Sequence, residues 1–230
     1  MVEATALAIS LQTGIFVLFL VAVRRRNVAA AINAAGAFVL ALLPAVAEFG
    51  LQIVLARSVA FGPVLPVWLG AAGFLHSLGM LGLYESTWWW DHLTHTVSAA
   101  LVAALLYAGT IVALPVLLGV DGSGPAAPVT VASTFAIGVF WELIELVARE
   151  AGERFDIEPV LVHYGWRDTA ADLGFDLVGA LLILATDLRV FVPLVEQFPV
   201  ATGAVLLGTG GVVFGGSVLM MVGLGSAMRA

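Results

Sequence analysis

Seven long apolar runs, separated by short polar or turn-forming segments, make up most of this chain. A helix needs about 20 apolar residues to cross a hydrocarbon core of about 30 Å, and each run is long enough. The pattern predicts an all-α transmembrane helix bundle with six or seven spans, forming one integral membrane domain over residues 1–230. The runs cover roughly residues 5–23, 28–55, 64–84, 91–119, 128–148, 168–187 and 199–226.

The composition supports this interpretation and excludes a soluble domain. Hydrophobic residues make up 61% of the chain, charged residues 11%, and the mean hydropathy is +1.08. Soluble domains contain about 45–50% apolar and about 25% charged residues. We therefore expect a multi-pass protein of the cell membrane, with membrane lipids and no nucleic acid as partners. The chain has no cysteine, so disulfides and thiolate metal sites are excluded.

The arginines predict an orientation, because cytoplasmic loops are enriched in basic residues. Three arginines follow the first span, which places the N-terminus outside and that loop in the cytoplasm. Alternation from there puts seven arginines inside and two outside. The inside set is Arg24, Arg25, Arg26, Arg149, Arg154, Arg167 and Arg229, and the outside set is Arg57 and Arg189.

Ionisable residues of three predicted spans meet at the cytoplasmic side of this topology. They stand at the start of the fourth span, the end of the fifth and the start of the sixth. Their spacings of three or four residues put each set on one helix face. The residues are Asp91, His92 and His95, then Glu142 and Glu145, then Asp168, Asp172 and Asp176.

An acidic side chain near the bilayer centre costs about 2.5–3.5 kcal/mol on insertion scales, so contact with lipid is unfavourable. These faces must point at each other, at water or at a cation. Carboxylates and imidazoles without thiolates favour a divalent ion such as Mg, Mn, Fe or Zn. We expect one ion, held by Asp91, His95, Glu142 and Asp172, with Asp168 and Asp176 as further candidate ligands. Glu145 and His92 are the candidate groups for proton transfer.

A purely structural network is the alternative interpretation. Asp91 and Asp168 can cap the helices they begin. Glu142 and Glu145 can pair with Arg149 or Arg167. His92 can lie in the headgroup region beside the tryptophans, which are typical anchors at the membrane interface. Capping does not explain the acidic residues that lie deeper within the helices.

Two other features have competing interpretations. His76, inside the third span, is interpreted as a hydrogen-bonded core residue, with contact to the acidic cluster as the alternative. The last span is rich in glycine, and Gly211 and Gly215 form a small-xxx-small pair that allows close helix contact. This pair favours packing inside the bundle, with a homodimer interface as the alternative.

Three segments resemble the YjdF-type polytopic membrane proteins, a family without an established activity. They are WWWDHLTHTVSA, FWELIELV and RDTAADLGFDLVGALL, and the resemblance covers about residues 74–185. In that family an Asp-x-x-x-His, a Trp-Glu and an Asp-Thr-x-x-Asp segment follow one another on successive helices. The matching positions are Asp91 and His95, Trp141 and Glu142, then Asp168, Thr169 and Asp172.

The more distant VanZ-like family, linked to glycopeptide resistance, has a similar order of polar residues. In that family an asparagine often stands four residues after the last aspartate, where this chain has Asp176. The resemblance implies a polar site on these helices and supplies no reaction.

Two functions fit these residues. One is a metal-dependent enzyme acting on a lipid or isoprenoid substrate, in which the ion polarises a phosphate or activates water. The other is a cation or proton transporter that uses the same carboxylates as a relay. The outer halves of the fourth, fifth and sixth spans are almost purely apolar, which favours the enzyme.

Overall fold

The computed structural model describes residues 2–156, 160–161 and 165–227, and within these ranges it is all helical. The all-α prediction is therefore confirmed. A π-helical turn continues the third helix to Ser86. In chain order, the eight described helices are α1 (Val2–Arg24), α2 (Val28–Leu55), α3 (Val64–Ser86), α4 (Trp90–Leu118), α5 (Ser123–Phe155), α6 (Trp166–Ala185), α7 (Val192–Val195) and α8 (Pro199–Ala227).

Six of the described helices are long and apolar enough to cross a membrane: α1 to α5 and α8. The remaining long helix is α6, a 20-residue helix that carries Arg167, Asp168, Asp172 and Asp176. Helix α6 is long enough to cross a membrane, but its charged residues exclude it from the six candidate spans. The prediction of six or seven spans is confirmed, and α6 is the helix on which the two counts differ.

Local sequence explains where several helices begin and end. The Asn27 side chain accepts a hydrogen bond from the Ala30 amide at 2.8 Å and caps α2. Ala56 and Asp156 take left-handed conformations directly after α2 and α5. The fifth predicted span was too short at both ends, because α5 also includes the Gly/Pro segment from Ser123 and the polar turns up to Phe155.

The chain divides into two compact units, Met1–Thr94 and His95–Ala230. In the first unit α1, α2 and α3 pack against one another. Small residues allow close packing: the Cβ positions of Gly70 and Gly73 lie 3.0 Å from Leu11 and Ala37. Whether the chain forms one membrane domain stays a prediction.

A π-helical turn interrupts α3 at Gly79–Leu83, where Gly82 has a φ of 124° that favours glycine. The turn brings the Tyr84 hydroxyl to 2.6 Å from Nδ1 of His76. Nε2 of the same ring lies 3.1 Å from the Asn33 side-chain oxygen. His76 is therefore hydrogen-bonded and half-buried, and its contact with the acidic cluster stays a prediction.

In the second unit, α5 packs against α6 and α8. Most of the buried apolar side chains on α4 and α6 are alanines, so helices can approach closely. Gly179 of α6 is one example: its Cβ position lies 2.6 Å from the Thr96 carbonyl oxygen and 2.8 Å from the Ala100 amide nitrogen, both on α4.

The glycines of α8 do not all serve packing. Gly203 lies against Leu117, and Gly216 lies against Phe140. Nothing lies within 4 Å of the Cβ positions of Gly211 and Gly215 in the described structure. Bundle packing therefore uses other glycines than the predicted pair, and a homodimer through this face stays a prediction.

Candidate metal site around His95

His95 of α4 lies beside two aspartates of α6. Its Nδ1 is 3.1 Å from Oδ1 of Asp176, and its Nε2 is 3.9 Å from Oδ1 of Asp172. The side chains of His95, Asp176 and Asp172 are 13%, 9% and 3% exposed, respectively. A spacing of four residues puts both aspartates on one face of α6. The two ring nitrogens of His95 therefore face two different carboxylates.

The contact with Asp176 orients the imidazole ring. An ionised carboxylate only accepts hydrogen bonds, so a bond from Nδ1–H to Asp176 leaves the lone pair on Nε2. That nitrogen is the one nearer to Asp172. Metal-binding histidines usually have this arrangement, with one nitrogen on the ion and the other donating to a carboxylate.

Two glycines allow this arrangement. The close approach at Gly179 holds α6 against α4 one residue beyond His95. At Gly138 of α5, a Cβ atom would overlap Oδ2 of Asp176, so the carboxylate occupies the space that any other residue would fill. Asp176 thus lies between α4 and α5, and its position depends on residue 138 being a glycine.

Asp91 stands one turn before His95 on the continuous helix α4. Asp91, His95 and Asp172 each offer a ligand atom within 4.8 Å of the others. Carboxylate oxygens and an imidazole nitrogen form a ligand set for a divalent ion that is hard or of borderline softness. Three of the four residues expected to converge therefore lie together.

The fourth, Glu142, lies on α5 one turn beyond Gly138, and it is only 5% exposed. Burial of a carboxylate is unfavourable unless a charge, a hydrogen bond or a cation compensates it. Glu142 does not belong to the group of three ligand atoms. Its burial on the helix that carries Gly138 keeps it a candidate for the same polar interior.

The other predicted site residues are not members of this group of ligand atoms. Asp168 stands in the first turn of α6 and is half-buried. His92 contacts the edge of the Trp88 ring, with centroids 6.2 Å apart. Glu145 accepts a hydrogen bond of 2.9 Å from Nε1–H of Trp141, on its own helix. Their expected roles in capping or proton transfer stay predictions.

The two arginines considered as partners for Glu142 make local contacts. Arg149 lies 3.8 Å from Glu153 on the exposed side of α5. The guanidinium of Arg167 stacks over the ring of Trp166, 5.5 Å from its centroid. Such exposed contacts contribute little to stability.

Four further residues belong to the interior of the second unit and were not predicted from the sequence. Gly138 and Gly179 position Asp176, and Thr130 and Thr134 lie buried on the face of α5 that carries Glu142. A signal for them existed in the spacing. Thr130, Thr134 and Gly138 precede Glu142 at intervals of four, and Gly179 follows Asp176 by three. Apolar periodicity alone does not reveal such a stripe of small and polar residues.

Residues 6–192 match the model of a family described as "Predicted membrane protein (DUF2238)". The chain belongs to this family. The match covers α1 to α6, and therefore all residues of the candidate site, and its description names a membrane protein without a reaction. No curated protein and no solved structure matches the chain. The likeness to the YjdF-type and VanZ-like proteins stays a resemblance.

Proposed function

We propose that this multi-pass membrane protein binds one divalent cation, through His95 and two aspartates, and uses it as an enzyme on a lipid or isoprenoid substrate. The observation that carries the proposal is the placement of His95 between Asp172 and Asp176. The two aspartate ligands are Asp172 and Asp91, and Asp91 lies in the preceding turn of the helix that carries His95.

The distance between His95 and Asp172 supports a single ion. Bonds from transition-metal ions to nitrogen or carboxylate oxygen are about 2.0–2.2 Å, so one ion can join atoms up to about 4.2 Å apart. The 3.9 Å between Nε2 of His95 and Oδ1 of Asp172 lies within this limit. Two ionised aspartates and a neutral imidazole together balance the charge of a divalent ion. Neutralisation lowers the cost of placing these carboxylates in a membrane.

The roles of the residues follow from their positions. Asp91, His95 and Asp172 hold the ion, and Asp176 orients His95 from the other side of its ring. Three protein ligands leave coordination positions for water or for a substrate phosphate. Mg, Mn, Fe and Zn all accept such a set. Glu142, Glu145 and His92 remain the candidates for moving protons.

A cation or proton transporter is the second candidate. The observation that favours it is the burial of Thr130 and Thr134, in the half of α5 that the sequence analysis describes as almost purely apolar. Polar groups in both halves of a span fit a path through the membrane better than they fit a closed site.

Metal binding to the purified protein tests the site. After treatment with EDTA, Mn²⁺ is titrated in and its free concentration is followed by electron paramagnetic resonance. We expect Asp172→Asn to weaken binding by about 100-fold or more, because it removes a charged ligand. Loss of a residue that only hydrogen-bonds a ligand usually costs about 10–100-fold, and loss of a ligand is expected to cost at least as much. We expect Asp176→Asn to weaken it by about 10–100-fold, as is usual for residues that orient a ligand.

Asp168→Asn is the matched control, since it removes the same charge from the same helix outside the ligand group. Equal affinities of all three variants and the wild-type protein would contradict the site. Thermal unfolding with and without EDTA adds a second criterion. A purely structural network predicts that Asp172→Asn destabilises the protein to the same extent with and without chelator.

Two experiments distinguish an enzyme from a transporter: a comparison of cellular lipids and a measurement of ion uptake. A comparison of lipids from cells with and without the gene is expected to show a substrate that accumulates in its absence. Uptake of Mn²⁺ or protons into vesicles containing the purified protein, lost in Asp172→Asn, would favour transport instead.

A further inference from the structure

A groove between α1 and α2 opens at the short loop that joins these two helices. Its volume is about 420 Å³, within the range of about 300–1,000 Å³ that is usual for small-molecule sites. Arg26 and Asn27 of the loop form its polar end. The rest of the lining is apolar and consists of Phe19, Val23, Val28, Ala31, Ile32 and Ala35. The α1–α2 groove therefore has a charged mouth and an apolar interior.

The groove runs from the loop into the apolar part of both helices. Ala35 follows Val28 by seven residues, so the groove extends about 10 Å along α2 at 1.5 Å per residue. Both α1 and α2 are candidate membrane spans, and the loop marks the end of their apolar runs. The mouth therefore lies at the level of the lipid headgroups. The interior lies beside the acyl chains and covers about a third of a hydrocarbon core of about 30 Å.

The mouth carries positive charge that the protein does not neutralise. Arg24, Arg25 and Arg26 are exposed, and none forms an ion pair with a carboxylate in the part of the chain that the structure describes. The acidic residues of the same two helices, Glu3 and Glu48, stand about 30 Å away along the helix axes. The N-terminus of α2, at the same loop, adds a partial positive charge. An anion is therefore the favoured ligand at this end of the groove.

We propose that the α1–α2 groove binds one anionic phospholipid, with the phosphate against Arg26 and the first part of an acyl chain in the apolar interior. Basic pockets between transmembrane helices bind acidic lipid headgroups in this way. The arginines also set the orientation of the chain, but that role requires no groove beside them. All residues of this site belong to the first unit, so the inference does not depend on the metal site around His95.

A second copy of the chain is a less suitable occupant of this groove. In a symmetric dimer within one membrane, the same surface of both copies meets, so the two arginine clusters would stand side by side and repel each other. A stable interface also buries about 800 Å² on each partner. A groove about 10 Å long offers only about two turns of contact to a helix.

Native mass spectrometry of the full-length protein in detergent tests the proposal by counting bound lipids. The probes are dioleoylphosphatidylglycerol, which is anionic, and dioleoylphosphatidylcholine, which has the same chains and no net charge. A basic residue next to an anionic lipid contributes about fivefold in affinity. We expect the wild-type protein to prefer phosphatidylglycerol by about fivefold or more. Arg26→Gln is expected to remove about fivefold of this affinity and to leave the binding of phosphatidylcholine unchanged.

Two further variants separate this site from general attraction to lipid. Arg154→Gln removes the same charge from the exposed end of α5, outside the groove, and is expected to leave both affinities unchanged. Ala31→Leu fills the groove and is expected to weaken both lipids by a similar factor. Equal binding of the two lipids by the wild-type protein, equal losses in Arg26→Gln and Arg154→Gln, or unchanged binding in Ala31→Leu would each overturn the proposal. A dimer that Ala31→Leu dissociates would also overturn it.

Thermal unfolding of the wild-type protein gives an answer that requires no variant. A ligand that binds only the folded state at 100 times its Kd raises the unfolding temperature of a chain of this size by about 5–11 °C. We expect this shift with phosphatidylglycerol and a smaller one with phosphatidylcholine at the same concentration. Equal shifts with the two lipids would contradict a site for an anionic headgroup.

Discussion

Replacement of Gly179 by alanine tests the packing that holds the candidate site together. In the Gly179→Ala variant the added Cβ would lie 2.6 Å from the Thr96 carbonyl oxygen, whereas ordinary contact begins at 3.4 Å. The obstacle is backbone and not the end of a flexible side chain, so rotation of a side chain cannot relieve it. Helices α4 and α6 would have to separate by about 0.8 Å at this point.

The expected magnitude follows from two opposing effects. Overpacking of this kind costs about 1–3 kcal/mol. Alanine in a helix is favoured over glycine by about 0.5–1 kcal/mol, which offsets part of that cost. Gly174→Ala, on the exposed side of α6, gives the second effect alone, because nothing lies within 4 Å of its Cβ position. The difference between the two alanine variants therefore isolates overpacking, about 1–3 kcal/mol.

Thermal unfolding of the two variants in the same detergent measures this difference. For a chain of this size it corresponds to a gap of about 2–12 °C, with Gly174→Ala the more stable variant. Binding of Mn²⁺ is expected to weaken only in Gly179→Ala, since His95 adjoins Thr96 and Asp176 precedes Gly179 by less than one turn. Equal unfolding temperatures would refute the packing of α4 against α6. If the two variants differ in unfolding temperature but bind Mn²⁺ with equal affinity, the proposed metal site is refuted and the packing of α4 against α6 is supported.

Two further predictions concern orientation and pH. A cysteine introduced at Ser123 is expected to react with a membrane-impermeant thiol reagent added outside the cell, and one introduced at Ala151 is expected not to react; the reverse pattern would invert the topology. Arg189 and then Tyr107 hydrogen-bond Asp187 beyond the end of α6 and lower the pKa of its carboxyl below the ordinary 3.8, so its contribution to stability is complete above that pH and is lost as the pH falls further. Asp187→Asn should therefore flatten the acid side of a plot of unfolding temperature against pH, and an unchanged slope would contradict this coupling.

Helix positions were largely predictable from the sequence because long apolar runs and turn residues are local signals. The π-helical turn in α3 was not predictable in this way. Glycine also occurs in regular transmembrane helices, and only the close packing of Tyr84 on Gly79 and the φ of 124° at Gly82 give these two glycines their roles. The ends of α5 were also missed, because a helix can extend into water beyond the apolar segment that marks its span.

The candidate site was predictable as a set of helix faces and not as a geometry. Intervals of four residues predicted that Asp172 and Asp176 lie on one face of their helix. The distribution of arginines predicted that these residues lie at the same side of the membrane as His95. Which ring nitrogen faces which aspartate depends on the separation and rotation of two helices. Both depend on Gly138 and Gly179, and the spacing of these glycines along their own helices does not show which atoms of a neighbouring helix they contact.

The polarity of α6 has a consequence for the biogenesis of the protein. A translocon that tests this segment alone meets Asp172 and Asp176, which together cost up to about 5–7 kcal/mol in the lipid phase. By the time α6 leaves the ribosome, α4 and α5 have already been synthesised, and they carry the histidine and the glycine that receive Asp176. As a seventh span, α6 would need α4 and α5 in place to receive its aspartates, and a chain rearranged to begin with α6 would present them to lipid.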